Sequence, residues 1–109
     1  MTKLYPRRRA LKLAAQLRDR LSEALGQPVK VIMYGSQARG DSTRYSDIDL
    51  LVILPSLDSG IRNLVSDFAW EVGFEAGKVI SAIPTTEERI AYYAILPFYK
   101  NVKKEGIVV

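Results

Sequence analysis

Leu13, Leu17, Leu21 and Leu25 recur at helical spacing, with Ala10 and Ala14 beside them. That pattern puts one apolar stripe on a helix. It predicts a first core helix over residues 7–25, opened by Pro6 and ended at Gly26. After Pro28 the run Val29-Lys30-Val31-Ile32-Met33-Tyr34 reads as a buried strand, and Leu50-Leu51-Val52-Ile53-Leu54 as a second. Between them lies a polar loop, Gly40-Asp41-Ser42-Thr43-Arg44-Tyr45-Ser46, which brings the second strand back beside the first. Pro55 to Gly60 is a turn. Ile61, Leu64, Val65, Phe68, Ala69 and Val72 then mark a second long helix, roughly 58–72, ended by Gly73. Residues 75–83 read as a third strand. Thr85 and Glu88 have the spacing of a capping box, and a short helix over 87–95 follows. Pro97 starts another turn, and the chain closes on Ile107-Val108-Val109. The expected fold class is α+β: one domain over 1–109, a small mixed sheet of about three strands, and helices on one face and at the ends.

Composition narrows the chemistry. The 109 residues, 48% of them hydrophobic, suffice for one domain with a modest core. There is no cysteine and no histidine. That removes disulfide frames, Ser-His and Cys-His hydrolases and the usual zinc sites. A metal would have to be held by oxygen. No apolar run approaches a membrane span. The first eighteen residues are Arg-rich before their first acid at Asp19, superficially like a transit peptide, but the leucine stripe runs past any plausible cleavage point. A cytoplasmic location is expected. The net charge of +4 is uneven: residues 1–30 hold eight basic and two acidic side chains, the rest eight and ten. The basic end could meet nucleic acid, yet only Tyr5 interleaves it, and a solvated helix face explains it as well.

Candidate chemistry lies between the first two strands. Gly35 allows a tight turn and close approach of a ligand to the backbone. Ser36 is placed to cap a helical turn, Gln37-Ala38-Arg39, whose free amides suit a phosphate. Further on come Asp47, Ile48 and Asp49. Residues i and i+2 of a strand share a face about 6.5–7 Å apart, so both carboxylates can lean over a hard cation such as Mg²⁺. Two acids beside an apolar run are costly unless something cationic binds them. A phosphate-cradling turn beside such a pair suggests Mg-nucleotide chemistry. Arg39 could neutralise a polyphosphate or form a salt bridge that holds the loop. Arg44 has the same two readings, and Ser46 could cap or orient Asp47. Trp70 lies off the second helix stripe and is an edge residue or an exposed contact. Tyr92, Tyr93, Phe98 and Tyr99 form an aromatic group, in the core or on a partner surface.

The segments Tyr34-Gly35-Ser36-Gln37-Ala38-Arg39-Gly40 and Ser46-Asp47-Ile48-Asp49-Leu50 resemble the signature of the minimal nucleotidyltransferases, small members of the DNA polymerase β–type superfamily. The ending Pro97-Phe98-Tyr99-Lys100-Asn101-Val102-Lys103-Lys104-Glu105-Gly106-Ile107 is similar to theirs. The resemblance implies Gly35, Ser36 and Arg39 as nucleotide-binding residues. It implies Asp47 and Asp49 as catalytic residues and Mg²⁺ ligands, with ATP as substrate. Members carry a third acid on the third strand. Here Gly77 stands at the best-matching place, ahead of Val79-Ile80-Ser81, and Glu75 is the candidate further ligand.

A chain this short has little room for a substrate domain, so the acceptor must dock from outside. The resemblance implies a small helical HEPN ribonuclease toxin as partner, its tyrosine receiving AMP, with this chain as antitoxin. Two alternatives stay open: a module of the same fold that neutralises its partner by binding alone, and a nucleotidyltransferase acting on a small molecule or nucleic acid. Nucleic acid is the less expected partner, and a membrane is not expected.

Overall fold

The computed structural model describes residues 4–109; Lys3, counted with the basic end above, and the first three positions of the transit-like stretch lie outside them. The leucine stripe forms helix α1, Arg8–Leu25, which buries Ala10, Leu13, Ala14, Leu17 and Leu21. Arg7 is its N-cap residue and Gly26, at φ 65°, its C-cap. Strand β1, Lys30–Tyr34, runs into a short helix α2, Gly35–Arg39. Strand β2, Ile48–Ile53, returns antiparallel to β1. Helix α3, Ser59–Ala76, crosses to strand β3, Ile80–Thr85, which lies parallel to β2. Helices α4, Glu87–Tyr92, and α5, Pro97–Glu105, lead to β4, Ile107–Val108, antiparallel to β1. The sheet is mixed and has four strands in the order β3-β2-β1-β4. The expected α+β fold is present, with one strand more than the three expected, since β4 is a two-residue addition.

Alternation along the strands decides the layers. Val31, Met33, Ile48, Leu50, Val52 and Ile80 join the buried residues of α1 and α3 in one core. The intervening positions, including Tyr34, Asp49 and Ser81, point to the opposite face. β2 is buried along its length except at Asp49. A half-exposed carboxylate thus interrupts the most enclosed strand of the sheet.

Four expectations about the elements need correction. α3 does not stop at Gly73, which is buried inside it; the helix continues to Ala76 and ends at Gly77, φ 67°. Gly73 serves a close approach instead, since a Cβ there would stand 2.5 Å from the carbonyl oxygen of Lys78. The third strand therefore starts at Ile80, not at residue 75. Finally, Pro97 begins a helix, as its position at the first helical turn allows, and the helix predicted over 87–95 ends at Tyr92.

β3 is an edge strand. The amides of Ile48 and Leu54 donate to the carbonyls of Val79 and Thr85, both at 2.9 Å. Odd-numbered positions of β3 therefore turn their backbone toward β2, and Ile80, Ala82 and Pro84 turn theirs outward. Proline fits there because it has no N–H to leave unpaired.

Candidate active site

Gly35 takes φ 75° where β1 turns into α2, a conformation that glycine adopts without steric cost. The ladder pairs Tyr34 with Asp49, and this register brings the Asp49 side chain against the turn. A Cβ on Gly35 would lie 2.6 Å from Asp49 Oδ2. The backbone of the Gly-Ser turn and the second aspartate of the pair therefore meet, and only glycine leaves room for both. Asp47 lies exposed just before β2, close enough for its charge to act on Asp49.

The loop between α2 and β2 is held by its own polar groups. Gln37, almost fully buried, donates to the Ser46 carbonyl at 3.2 Å and accepts from the Ser42 hydroxyl at 3.0 Å. Ser46 Oγ accepts from the Thr43 amide at 3.0 Å. The N-cap of α2 is Tyr34, with no side-chain capping bond. Ser36 sits inside the helix, so its expected capping role is not seen. Its carbonyl accepts from the amides of Gly40, at 2.9 Å, and Asp41, at 3.1 Å. The chain turns at Gly35 itself, one residue earlier than a serine cap would require.

The electrostatics are those of crowded anions. Burial pushes the Asp49 carboxyl up from its ordinary range; the charge of Asp47 adds to this, Arg39 opposes it, and Glu105 adds again. Burial and the neighbouring Asp49 push the Tyr34 phenol up to about 12. Arg39 donates to Asp41 Oδ2 and to Glu105 Oε2, both at 3.1 Å. Those two bonds hold its guanidinium above its ordinary pKa. In this structure Arg39 is thus the salt bridge that ties α2 to its loop and to α5.

Glu105 was not legible as a site residue. Its Oε1 accepts from the Gly35 amide at 3.0 Å, across a sequence separation of 70 residues that no local motif could announce. Glu75 stands elsewhere: it is exposed in the last turn of α3 and not on a strand. The β3 residue opposite Asp49 is Ser81, and β3 itself, Ile80–Thr85, contains no acid. Arg44 is exposed and lies over the Tyr45 ring, 4.7 Å from its centroid.

Among the described residues no group of three or more acidic, His or Cys side chains is gathered as a ready metal cage. Asp47 and Asp49 form an all-oxygen pair whose mutual repulsion is incompletely offset by Arg39. This donor set fits Mg²⁺, which commonly takes one or two carboxylates and completes its shell with water and substrate phosphates.

The comparison with known families agrees with this geometry. The model of the nucleotidyltransferase domain matches residues 14–108. The chain belongs to the nucleotidyltransferase family. This nucleotidyltransferase is 37% identical over 87 residues to a candidate protein adenylyltransferase of Methanocaldococcus jannaschii, covering 80% of this chain and 83% of that protein. A second candidate protein adenylyltransferase of the same organism is 32% identical over 59 residues, 48% of this chain and 40% of the other. A bifunctional uridylyltransferase/uridylyl-removing enzyme of Pseudomonas fluorescens is 31% identical over 75 residues, 65% of this chain. The chain spans only 8% of that larger enzyme.

Proposed function

We propose that this nucleotidyltransferase transfers AMP from ATP to a hydroxyl of a partner protein. The acceptor is a tyrosine of a HEPN ribonuclease toxin, and the chain acts as its antitoxin. The observation that carries the transfer site is the contact of Asp49 with the Gly35 turn, where an added Cβ would fall 2.6 Å from the carboxylate oxygen. Carboxylates beside a partly exposed turn suit a metal-bound triphosphate. The relative named as a candidate protein adenylyltransferase supports a protein acceptor, and the HEPN tyrosine follows from the resemblance of the motifs.

On this reading Gly35 and Ser36 hold the phosphates through backbone and hydroxyl once Glu105 gives up the Gly35 amide, and Arg39 leaves Glu105 or Asp41 to meet them. Asp47 and Asp49 would hold Mg²⁺, which when bound neutralises phosphate charge and polarises the α-phosphorus. The tyrosine oxygen forms a new bond to that phosphorus as the α–β anhydride bond breaks. Pyrophosphate leaves, and the phenolic proton passes to a site carboxylate or to water. The half-buried position of Asp49 excludes part of the solvent and strengthens its electrostatic interactions.

A second reading rests on β3. With Ser81 opposite Asp49 and no acid on that strand, a chain of this fold could neutralise its partner by contact alone. One experiment separates the two. The chain is incubated with labelled ATP, Mg²⁺ and the product of the neighbouring gene, with Asp47→Asn/Asp49→Asn as control. Label on the partner that vanishes in the control supports transfer. A stable complex without label rejects transfer in favour of binding alone. Label on RNA or a small molecule instead would refute the protein acceptor.

A further inference from the structure

Strand alternation sends Ile48, the residue between the two aspartates, to the face opposite Asp49. On that reverse side it lines a cavity of about 330 Å³, which neither Asp47 nor Asp49 lines. The wall carries Arg7, Arg9, Arg44 and Lys78 and no acidic residue. Each cation is tethered by a neutral oxygen. Arg7 donates to Ser42 Oγ at 3.0 Å and to the Ser42 carbonyl at 2.9 Å. Arg9 donates to the Ala76 carbonyl at 2.7 Å and Lys78 to the Arg44 carbonyl at 3.1 Å. Arg44 donates to the Tyr45 hydroxyl.

These tethers fix the positive groups without neutralising them. Among the described residues none of the four is in an ion pair, whereas Arg18, Arg20, Lys30 and Arg39 each pair with a carboxylate. The undescribed residues 1–3 contain no acid that could serve. The start of α1 adds to the same sign, since its first turn holds no acid and Arg7 gives it no side-chain cap. Four like charges around one hollow repel each other, and a bound anion removes that cost. The volume lies at the small end of ligand cavities. It suits a compact, multiply charged group better than an extended polymer.

We propose that this cavity is a second ligand site, separate from the carboxylates, which binds a diphosphate group, either as free pyrophosphate or as the phosphate chain of a nucleotide. The inference is independent of the transfer reaction, because it uses none of its residues. The test is calorimetric titration of the full chain in EDTA at ~0.1 M salt, with pyrophosphate, ADP, adenosine and a short single-stranded RNA. Pyrophosphate and ADP should bind saturably below ~1 mM and adenosine should not. Binding should persist in Asp47→Asn/Asp49→Asn. It should weaken about tenfold or more in Arg9→Gln/Lys78→Gln, as expected for lost charge-assisted bonds. The single variant Arg44→Gln gives an independent reading should the double variant fold poorly. ADP binding more tightly than pyrophosphate identifies a nucleotide as the source, and equal binding a free diphosphate. No saturable binding would overturn the proposal. So would binding lost in the aspartate variant but kept in the arginine and lysine variants, or RNA binding more tightly per phosphate than pyrophosphate.

Discussion

At residue 35 a single added carbon would disturb two things at once. Gly35→Ala places a side chain at φ 75° and drives it within 2.6 Å of Asp49 Oδ2. The substitution should cost about 1–3 kcal/mol in urea unfolding and displace the carboxylate. Asp49 itself makes a pH prediction. Burial and Asp47 raise its pKa in the fold, so the fold holds this proton more tightly than the unfolded chain does. That preference stabilises the protein below the ordinary carboxylate pKa and is lost as pH rises through the raised value. In EDTA, Asp49→Asn should therefore raise the melting temperature at pH 7, and the gain should shrink as the pH is lowered into the acid range. If the proposed transfer of AMP is the reaction, the same variant should reduce it by about 100-fold or more, since even the outer partners of metal ligands are worth 10–100-fold. Tyr34 has a signature of the same sign in the alkaline range. Its phenol is pushed up to about 12, so stability held below pH ~10 is lost as the pH rises from there toward the folded value. A Tyr34→Phe protein should lose less stability than the parent over that alkaline range in circular-dichroism melts. Gly35, Asp47 and Asp49 could be read in the sequence because the turn and the i, i+2 spacing are local. Glu105 could not, because its bond to the Gly35 amide spans 70 residues. The Arg39 salt bridge, left open beside a phosphate role, joins the nearby Asp41 to that same distant carboxylate.

At the scale of elements, two glycines near the end of α3 have opposite duties: Gly77 ends the helix, and Gly73 makes room for a neighbouring backbone. Gly73 lies inside the helix, where alanine ordinarily stabilises by about 1 kcal/mol. Here a Cβ would meet the Lys78 carbonyl at 2.5 Å, so Gly73→Ala should instead destabilise by about 1–3 kcal/mol through overpacking. At the other end Asp58 caps the helix, its Oδ1 accepting from the Ile61 amide at 2.8 Å. Asp58→Ala should cost ~1 kcal/mol, with both variants measured by chemical denaturation. The sequence pattern placed α1 almost to the residue because a leucine stripe has one interpretation. It stopped α3 at the wrong glycine because helix-ending and close-packing glycines look alike until the partner backbone is known. The same error carried Glu75 onto a strand. α5 and β4 were missed for a different reason. Both are short, and their apolar positions become decisive only against β1, where Phe98 meets the Tyr34 ring and Ile107 and Val108 pair with Met33 and Ile32.

For the whole molecule, binding should appear as thermal stability. If the proposed site takes the nucleotide, ATP with Mg²⁺ at a hundred times its Kd should add about 2.7 kcal/mol to the fold. EDTA should reverse most of the gain, and both changes can be followed as a shift in melting temperature. Composition limited any metal to oxygen ligands and showed the basic amino-terminal third. It could not show which cations lack partners, because pairing depends on how α1, α3 and the loop before β2 come together. Among the described residues no helix is long and apolar enough to cross a membrane. The outer margin of the sheet has one last consequence. Pro84 removes an amide from the outward side of β3, which leaves only Ile80 and Ala82 to offer donors there. A neighbouring chain could not zip along that border for more than a few rungs. A protein that docks on this side has to recognise the side chains it finds, Trp70 stacked on Phe74 among them, and cannot simply lengthen the ladder.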